Sequence, residues 1–313
     1  MRMALQVYMK KTDPFMWHML IDKNATDCDV ATFIDDITTS VILGIDCEGY
    51  NFGRNGILSI IQIATKKAIY VVDVLGVFYD CVCIVEAIRS VLSNQSIIKV
   101  IHDGQMDADI LHHKHGINLE NIHDTQVFHS VLYRTSNVNL NALLKIHGFH
   151  INENRTPEVY IKNPEFWLQR PLTQTMRNWA VGDVRYLIDV YYQQKDTAEN
   201  RCQQLYCMSE SKRRLLKCVN AMTGHIVVKP SKIKYFIGKC GHNIKQIIKL
   251  SGVYISGPIE KNIFTYYVNS TSQLLLLQMI CYDYLESPML TPNSRMSEAT
   301  AGNKIKHWST LSI

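Results

Sequence analysis

The chain has 313 residues, 47% of them hydrophobic and 19% charged, which is long enough for two ordinary domains and apolar enough to exclude wholesale disorder. The net charge of +5 is uneven: from Asn220 onward there are ten Lys plus Arg and four Asp plus Glu, against 23 and 24 before it, so a basic C-terminal third suited to polyanions follows a near-neutral body. The nine cysteines are scattered without a C-x-x-C pair, which excludes a disulfide framework and fits reduced thiols in a cytoplasmic or nuclear protein. Met1 to Leu5 lacks a sustained apolar core, and no apolar run approaches the roughly 20 residues of a membrane span. Neither a signal peptide nor a membrane partner is therefore expected.

In chain order, the first strongly patterned stretch is Val41 to Asp46, an apolar strand ending in an acid. Gly49 to Gly56 reads as a turn, and Ile57–Ala64 and Ala68–Val74 as further strands, two or three of them antiparallel in a row. A helix over Cys81–Leu92, a short strand over Lys99–His102, a helix over Met106–His115, a strand end at Ile122–Thr125 and a helix over Gln126–Leu132 follow. Strands giving way to alternating strand and helix indicate a mixed α/β sheet. A loop rich in Asn and Pro over Asn152–Pro171 leads to a helix over Thr173–Tyr192, and polar, helix-compatible sequence runs on to Val219.

Three places carry acids in patterns suited to chemistry. Asp46 and Glu48 stand two apart at a strand end and so face one side, where paired carboxylates repel unless a hard cation such as Mg²⁺ or Mn²⁺ lies between them. Asp103, Asp107 and Asp109 fall where a strand turns into a helix, a place where acids also serve as dipole partners. Asp183 sits inside an otherwise amphipathic helix.

In order and spacing these segments resemble the three motifs of the DEDD superfamily, the ribonuclease-H-like 3′–5′ exonucleases related to ribonuclease D. The resemblance covers about Met19–Tyr192 and is strongest to the Egalitarian-like subgroup, through Gly44–Gly49 followed by Leu58–Ala64, His102–Asp109, Asp124-Thr125-Gln126 and Phe166–Thr173. It implies a ribonuclease H-like mixed sheet with flanking helices. It also implies four metal-holding acids, Asp46, Glu48, Asp107 and Asp183, and two divalent ions (Mg²⁺ or Mn²⁺) bridged chiefly by Asp46. Asp103 and Asp109 are then caps or surface, and Asp124 suits a helix N-cap. Active relatives carry a Tyr four residues, or a His five residues, before the last acid. Here those catalytic positions hold Trp179 and Asn178. An indole donates one hydrogen bond and accepts none, so Trp179 cannot act as a base. Reduced turnover is the expectation, with a non-cleaving RNA-binding adaptor as the alternative, since the subgroup includes members of that kind. His102 reads as a hydrogen-bonded structural residue.

The basic third reads strand (His225–Val228), helix (Pro230–Ile237), Gly238-Lys239-Cys240-Gly241, helix (His242–Leu250), strands (Val253–Ile255, Thr265–Val268) and helix (Ser272–Leu285). Two glycines let a backbone approach a phosphodiester closely, the next helix presents its positive end, and Lys239 and Lys245 add charge. This β-α-α-β-β-α order resembles a small α+β type I KH domain, and Ile237, Gly238, Lys239, Cys240, Gly241 and Lys245 become the nucleic-acid-binding residues. The expected map is an N-terminal extension over 1–18, the exonuclease domain over 19–192, a helical linker over 193–221, the KH domain over 222–287 and a flexible tail over 288–313. The expected function is a metal-dependent 3′–5′ exonuclease acting on single-stranded RNA, with DNA as the other candidate polymer and protein partners unassigned.

Overall fold

The computed structural model describes residues 17–78, 80–152, 159, 162–260 and 262–285. The expected N-terminal extension up to residue 16, the tail, and most of 153–161 in the Asn- and Pro-rich loop lie outside the described residues. The chain divides into two units, one ending at Val219 and the other starting at Asn220.

The first unit runs β1 (Trp17–Ile21), α1 (Asp27–Thr39), β2 (Ile42–Tyr50), β3 (Ile57–Ala64), β4 (Ala68–Asp73), a helical turn α2 (Val74–Val77), α3 (Val82–Ser93), β5 (Ile98–Ile101), α4 (Gln105–His115), β6 (Ile122–Asp124), α5 (Thr125–Tyr133), α6 (Leu140–Ile146), α7 (Gln174–Val184), α8 (Leu187–Thr197) and α9 (Arg201–Val219). Its sheet is ordered β1-β4-β3-β2-β5-β6. The central β2, β3 and β4 are antiparallel, as the sequence predicts, and β1, β5 and β6 add in parallel.

Strand residues alternate between two apolar layers, as a period of two requires. Leu43, Ile45, Cys47, Ile61, Ile63, Tyr70 and Val72 join one cluster with Phe33 and Ile37 of α1 and Ile84 and Ile88 of α3. Ile42, Ile60, Ile69 and Val71 join the other with Met176, Trp179, Ala180 and Val184 of α7. Both faces are covered, so β3 and β4 are predominantly apolar. The same alternation sends Asp46 and Glu48 to the α7 face.

Three features depart from expectation. The β1 strand, α1, the α2 turn and α6 are additional. In α1 the capping box of Thr26 and Asp29 fixes the start, and Asp36 is buried but accepts from Thr65 Oγ1 (2.7 Å) and Tyr70 OH (3.0 Å). The single helix expected over Thr173–Tyr192 is two helices. Tyr186 leaves the helical conformation (φ −110°, ψ 5°) and stacks on Phe149 at 4.9 Å. The break lets α7 bury on the sheet while Tyr186 and Val190 bury against Leu143 and Leu144 of α6. Finally, the expected linker over 193–221 is built into the first unit as far as Val219. Leu215 and Val219 of α9 pack with Ile101, Ala108 and Ile122. Arg54 caps the end of α9, donating to Cys218 O (2.7 Å) and Val219 O (3.1 Å).

The second unit runs β7 (Met222–Val227), α10 (Ile233–Ile237), α11 (His242–Ser251), β8 (Tyr254–Glu260), β9 (Ile263–Val268) and α12 (Thr271–Cys281). The sheet is antiparallel, ordered β7-β9-β8. Alternate residues of β9 (Phe264, Tyr266, Val268) enter one cluster with Phe236, Ile247 and Leu277 from the three helices. This is the expected β-α-α-β-β-α order.

Candidate active site

On β2, Asp46 and Glu48 share the face onto which α7 packs, and Asp183 projects from α7. One ligand oxygen from each of Asp46, Glu48 and Asp183 lies within 4.8 Å of the others. The sheet register explains part of this placement. Gln62 of β3 pairs directly with Asp46 across the antiparallel ladder, and its Nε2 donates to Asp46 Oδ2 at 3.3 Å. The pairing shifts between Glu48 and Gly49, a bulge after which Gly49 and Tyr50 pair with Leu58 and Ile57. From the helix side, Asn152 Nδ2 donates to Asp183 Oδ1 at 2.9 Å. Neither Gln62 nor Asn152 is among the residues picked from sequence. Gln62 carried a signal as the one amide in a mostly apolar strand; Asn152 carried none.

Asp107 enters from the third position of α4 and lies outside that three-acid group. It is 5% exposed, and its Oδ1 has no hydrogen-bond partner among the described residues. Burial, and then the charges of Glu48 and Asp103, push its carboxyl up to about 8, against a bond from the Cys47 thiol that favours ionisation. Cys47 itself is pushed up by burial and by Asp107, Asp46 and Glu48, so it stays a thiol. Its side chain packs in the opposite apolar layer and is not one of the converging ligand groups. What remains is three converging carboxylates and a buried, unsatisfied carboxylate oxygen beside them, a hard oxygen donor set that fits Mg²⁺ or Mn²⁺.

In the second unit the Gly238–Gly241 loop joins α10 to α11. Gly238 (φ 73°, ψ 171°) and Gly241 (φ 74°) both have positive φ. A Cβ at Gly238 would also meet Asn243 N at 2.8 Å, so space and conformation both exclude a side chain there. Asn243 Nδ2 donates to Tyr235 O at 2.6 Å and ties α11 back to α10. Lys239, Cys240 and Lys245 are exposed, while Ile237 is partly buried against the core. Here the sequence-picked residues do come together, because they are neighbours in the chain.

A model of the 3′–5′ exonuclease family matches residues 24–196, more than half of the chain. The chain belongs to the 3′–5′ exonuclease family. A KH domain model matches residues 223–270. Among curated proteins, the chain is 40% identical over 85 residues to "piRNA biogenesis protein EXD1" of Xenopus laevis, covering 26% of this chain and 18% of that protein. With the mouse (Mus musculus) protein of that name it is 28% identical over 161 residues, covering 47% and 28%. The chain thus spans less than a third of the length of the curated relatives it matches. Among solved structures, Trypanosoma brucei RNase D superposes with a TM-score of 0.55 at 18% identity, over 65% of this chain and 73% of that one. Escherichia coli RNase D gives 0.54 at 18% identity, over 77% and 56%. These likenesses concern the fold.

The remaining motif residues of this exonuclease-family chain now have physical roles. Arg170 of the Phe166–Thr173 segment pairs both ways with Asp73 (2.8 and 2.7 Å) and donates to Ser59 O and Trp167 O, so it locks the segment onto β3 and β4. Asp109, expected as a cap or surface acid, is instead fully buried and clamped by Arg54, which donates from its backbone N (2.7 Å), Nε and Nη2 (2.6 Å). Asp124 caps α5 as expected, accepting from Gln126 N and Val127 N, and also from Asp103 N and Gly104 N. Burial, assisted by the Asp103 charge, lifts its carboxyl to about 6 against those bonds. His102 Nδ1 lies 2.9 Å from Thr125 Oγ1 and Nε2 lies 3.1 Å from Val138 O, and desolvation lowers its pKa to about 4. It is therefore a neutral, hydrogen-bonded residue at physiological pH. Trp179 lies one turn before Asp183, buried in the α7 cluster with its ring 5.3 Å from that of Phe166.

Proposed function

We propose that this chain is a divalent-metal-dependent 3′–5′ exonuclease of single-stranded RNA that uses its KH domain to hold the substrate. The convergence of Asp46, Glu48 and Asp183 within 4.8 Å carries this reading. Asp46, Glu48 and Asp183, with Asp107 beside them, would hold two cations, Mg²⁺ or Mn²⁺. Bound there, the cations supply charge neutralisation at a phosphodiester and acidify water. Gln62 and Asn152 orient Asp46 and Asp183, and the hydrophobic layers behind β2 keep those acids fixed. In the KH domain the Gly238–Gly241 backbone, Lys239, Cys240 and Lys245 contact the nucleic-acid backbone, and Ile237 contributes to an apolar floor. Tethering the polymer in this way raises the local concentration of its 3′ end. The nine free thiols support a reducing, cytoplasmic or nuclear setting.

A second reading, an RNA-binding adaptor that cuts slowly or not at all, is favoured by one observation. The position that would orient the attacking water holds Trp179, packed against Phe166 and without an acceptor atom. A single assay separates the two. With 5′-labelled single-stranded RNA and Mn²⁺, the exonuclease produces a ladder that Asp46→Asn abolishes; the adaptor shifts the RNA undegraded. Parallel reactions on single-stranded DNA decide the polymer. Trp179→Tyr restores a hydroxyl where a water would be positioned and is expected to raise the cleavage rate by roughly tenfold or more. An unchanged rate in that variant would show that water positioning does not limit turnover.

A further inference from the structure

Asp183 is held from outside its own helix. The side-chain nitrogen of Asn152 donates to Asp183 Oδ1 and to Trp179 O, each at 2.9 Å. Both targets are acceptors only, so the amide must present its nitrogen to them and both its hydrogens are used. Asn152 is in turn fixed to α6: its N donates to Asn141 Oδ1, and Asn141 Nδ2 donates to Asn152 O, both at 3.1 Å. A third observation is independent of these bonds. Gly182 sits inside α7, where glycine is unfavourable. A Cβ on it would meet Asn152 Oδ1 at 2.2 Å and Cγ at 2.6 Å. The glycine beside the acid thus makes room for the amide that bonds the acid.

We infer that Asn152 is a positioning residue for Asp183, setting the cation affinity of the three-acid cluster through the hydrogen bonds its side chain donates to the acid and the helix. The inference rests on the reading that Asp46, Glu48 and Asp183 hold a cation. A carboxylate on a free rotor reaches a shared ligand geometry only part of the time, whereas one locked by an outer partner is already there, and loss of such partners costs roughly tenfold to a hundredfold in metal affinity. Gly182→Ala should have that effect without touching either partner chemically, and in spite of alanine's better helix propensity.

The test is Mn²⁺ binding by the full-length chain, followed by the electron paramagnetic resonance spectrum of the bound ion, with thermal melting in the absence of cation as the control. Asn152→Ala and Gly182→Ala are expected to weaken Mn²⁺ binding by roughly tenfold to a hundredfold and to broaden or alter the bound spectrum, with melting close to wild type. If Asn152→Ala is too unstable to titrate, Gly182→Ala decides alone. Affinity within about twofold of wild type in the deciding variant overturns the inference. Asp46→Asn separates the two levels. If it too binds Mn²⁺ like wild type, the cation site itself is refuted; if it loses Mn²⁺ while the Asn152 and Gly182 variants keep it, only the positioning role falls.

Discussion

The two units build their sites in opposite ways. The exonuclease unit gathers Asp46, Glu48, Asp107 and Asp183 from two strand positions and two helices, inside a layer where Asp107 and Asp183 are nearly buried. The KH unit takes Ile237 to Lys245 from one continuous loop and helix start, and its charged members are exposed. A site assembled across the fold shares residues with the framework that supports it, so function and stability are coupled there. A site contiguous in sequence and open to water can be altered while the fold stays as it is.

Four changes test that contrast. The largest effect is expected for Arg54→Ala, which leaves the fully buried Asp109 charge unpaired and uncaps α9. Breaking a buried pair from one side costs about 3–5 kcal/mol, readable as a fall in the urea midpoint of the first unit's unfolding. Asp46→Asn comes next: Mn²⁺-dependent cleavage should fall by on the order of a hundredfold or more, while melting without cation stays equal or rises as carboxylate repulsion is relieved. Replacing Lys239 and Cys240 by Asp should weaken RNA binding by roughly tenfold and flatten its salt dependence, with no change in the melting of either unit. A stability loss in that variant comparable to Arg54→Ala would break the contrast.

The smallest effect is in pH. With its carboxyl held at about 8 in the fold, Asp107 contributes stability that is fully present below the ordinary carboxylate range. That contribution is lost as pH rises through about 8. A cation favours the ionised form, so the rise in Tm caused by Mn²⁺ should be greater at about pH 8.5 than at about pH 6. An equal rise at both would place Asp107 outside the cation's reach.

Much of this was legible in the sequence because it depends on short-range periodicity. Asp46 and Glu48 share a face by the strand's period of two, and the glycine loop with its flanking isoleucines is local. What was not legible depends on partners far along the chain. Nothing near Asn152 points to Asp183. The break at Tyr186 is understandable only once Phe149 and Leu144 are in place. The α9 helix reads as polar because its buried positions, Cys207, Ser211, Leu215, Cys218 and Val219, are few and partly small. Their recurrence every three or four residues was nonetheless a signal of one packed face.

Cys47 stands between Asp46 and Glu48, and its side chain packs in the opposite apolar layer. A protonated, enclosed sulfur cannot meet an electrophile until the strand that carries it opens. Its rate of alkylation is therefore a clock for the breathing of the acid-bearing strand. Because that strand also holds two of the converging carboxylates, the clock should slow whenever a cation ties them to α7, and so report occupancy of the site without any substrate being turned over.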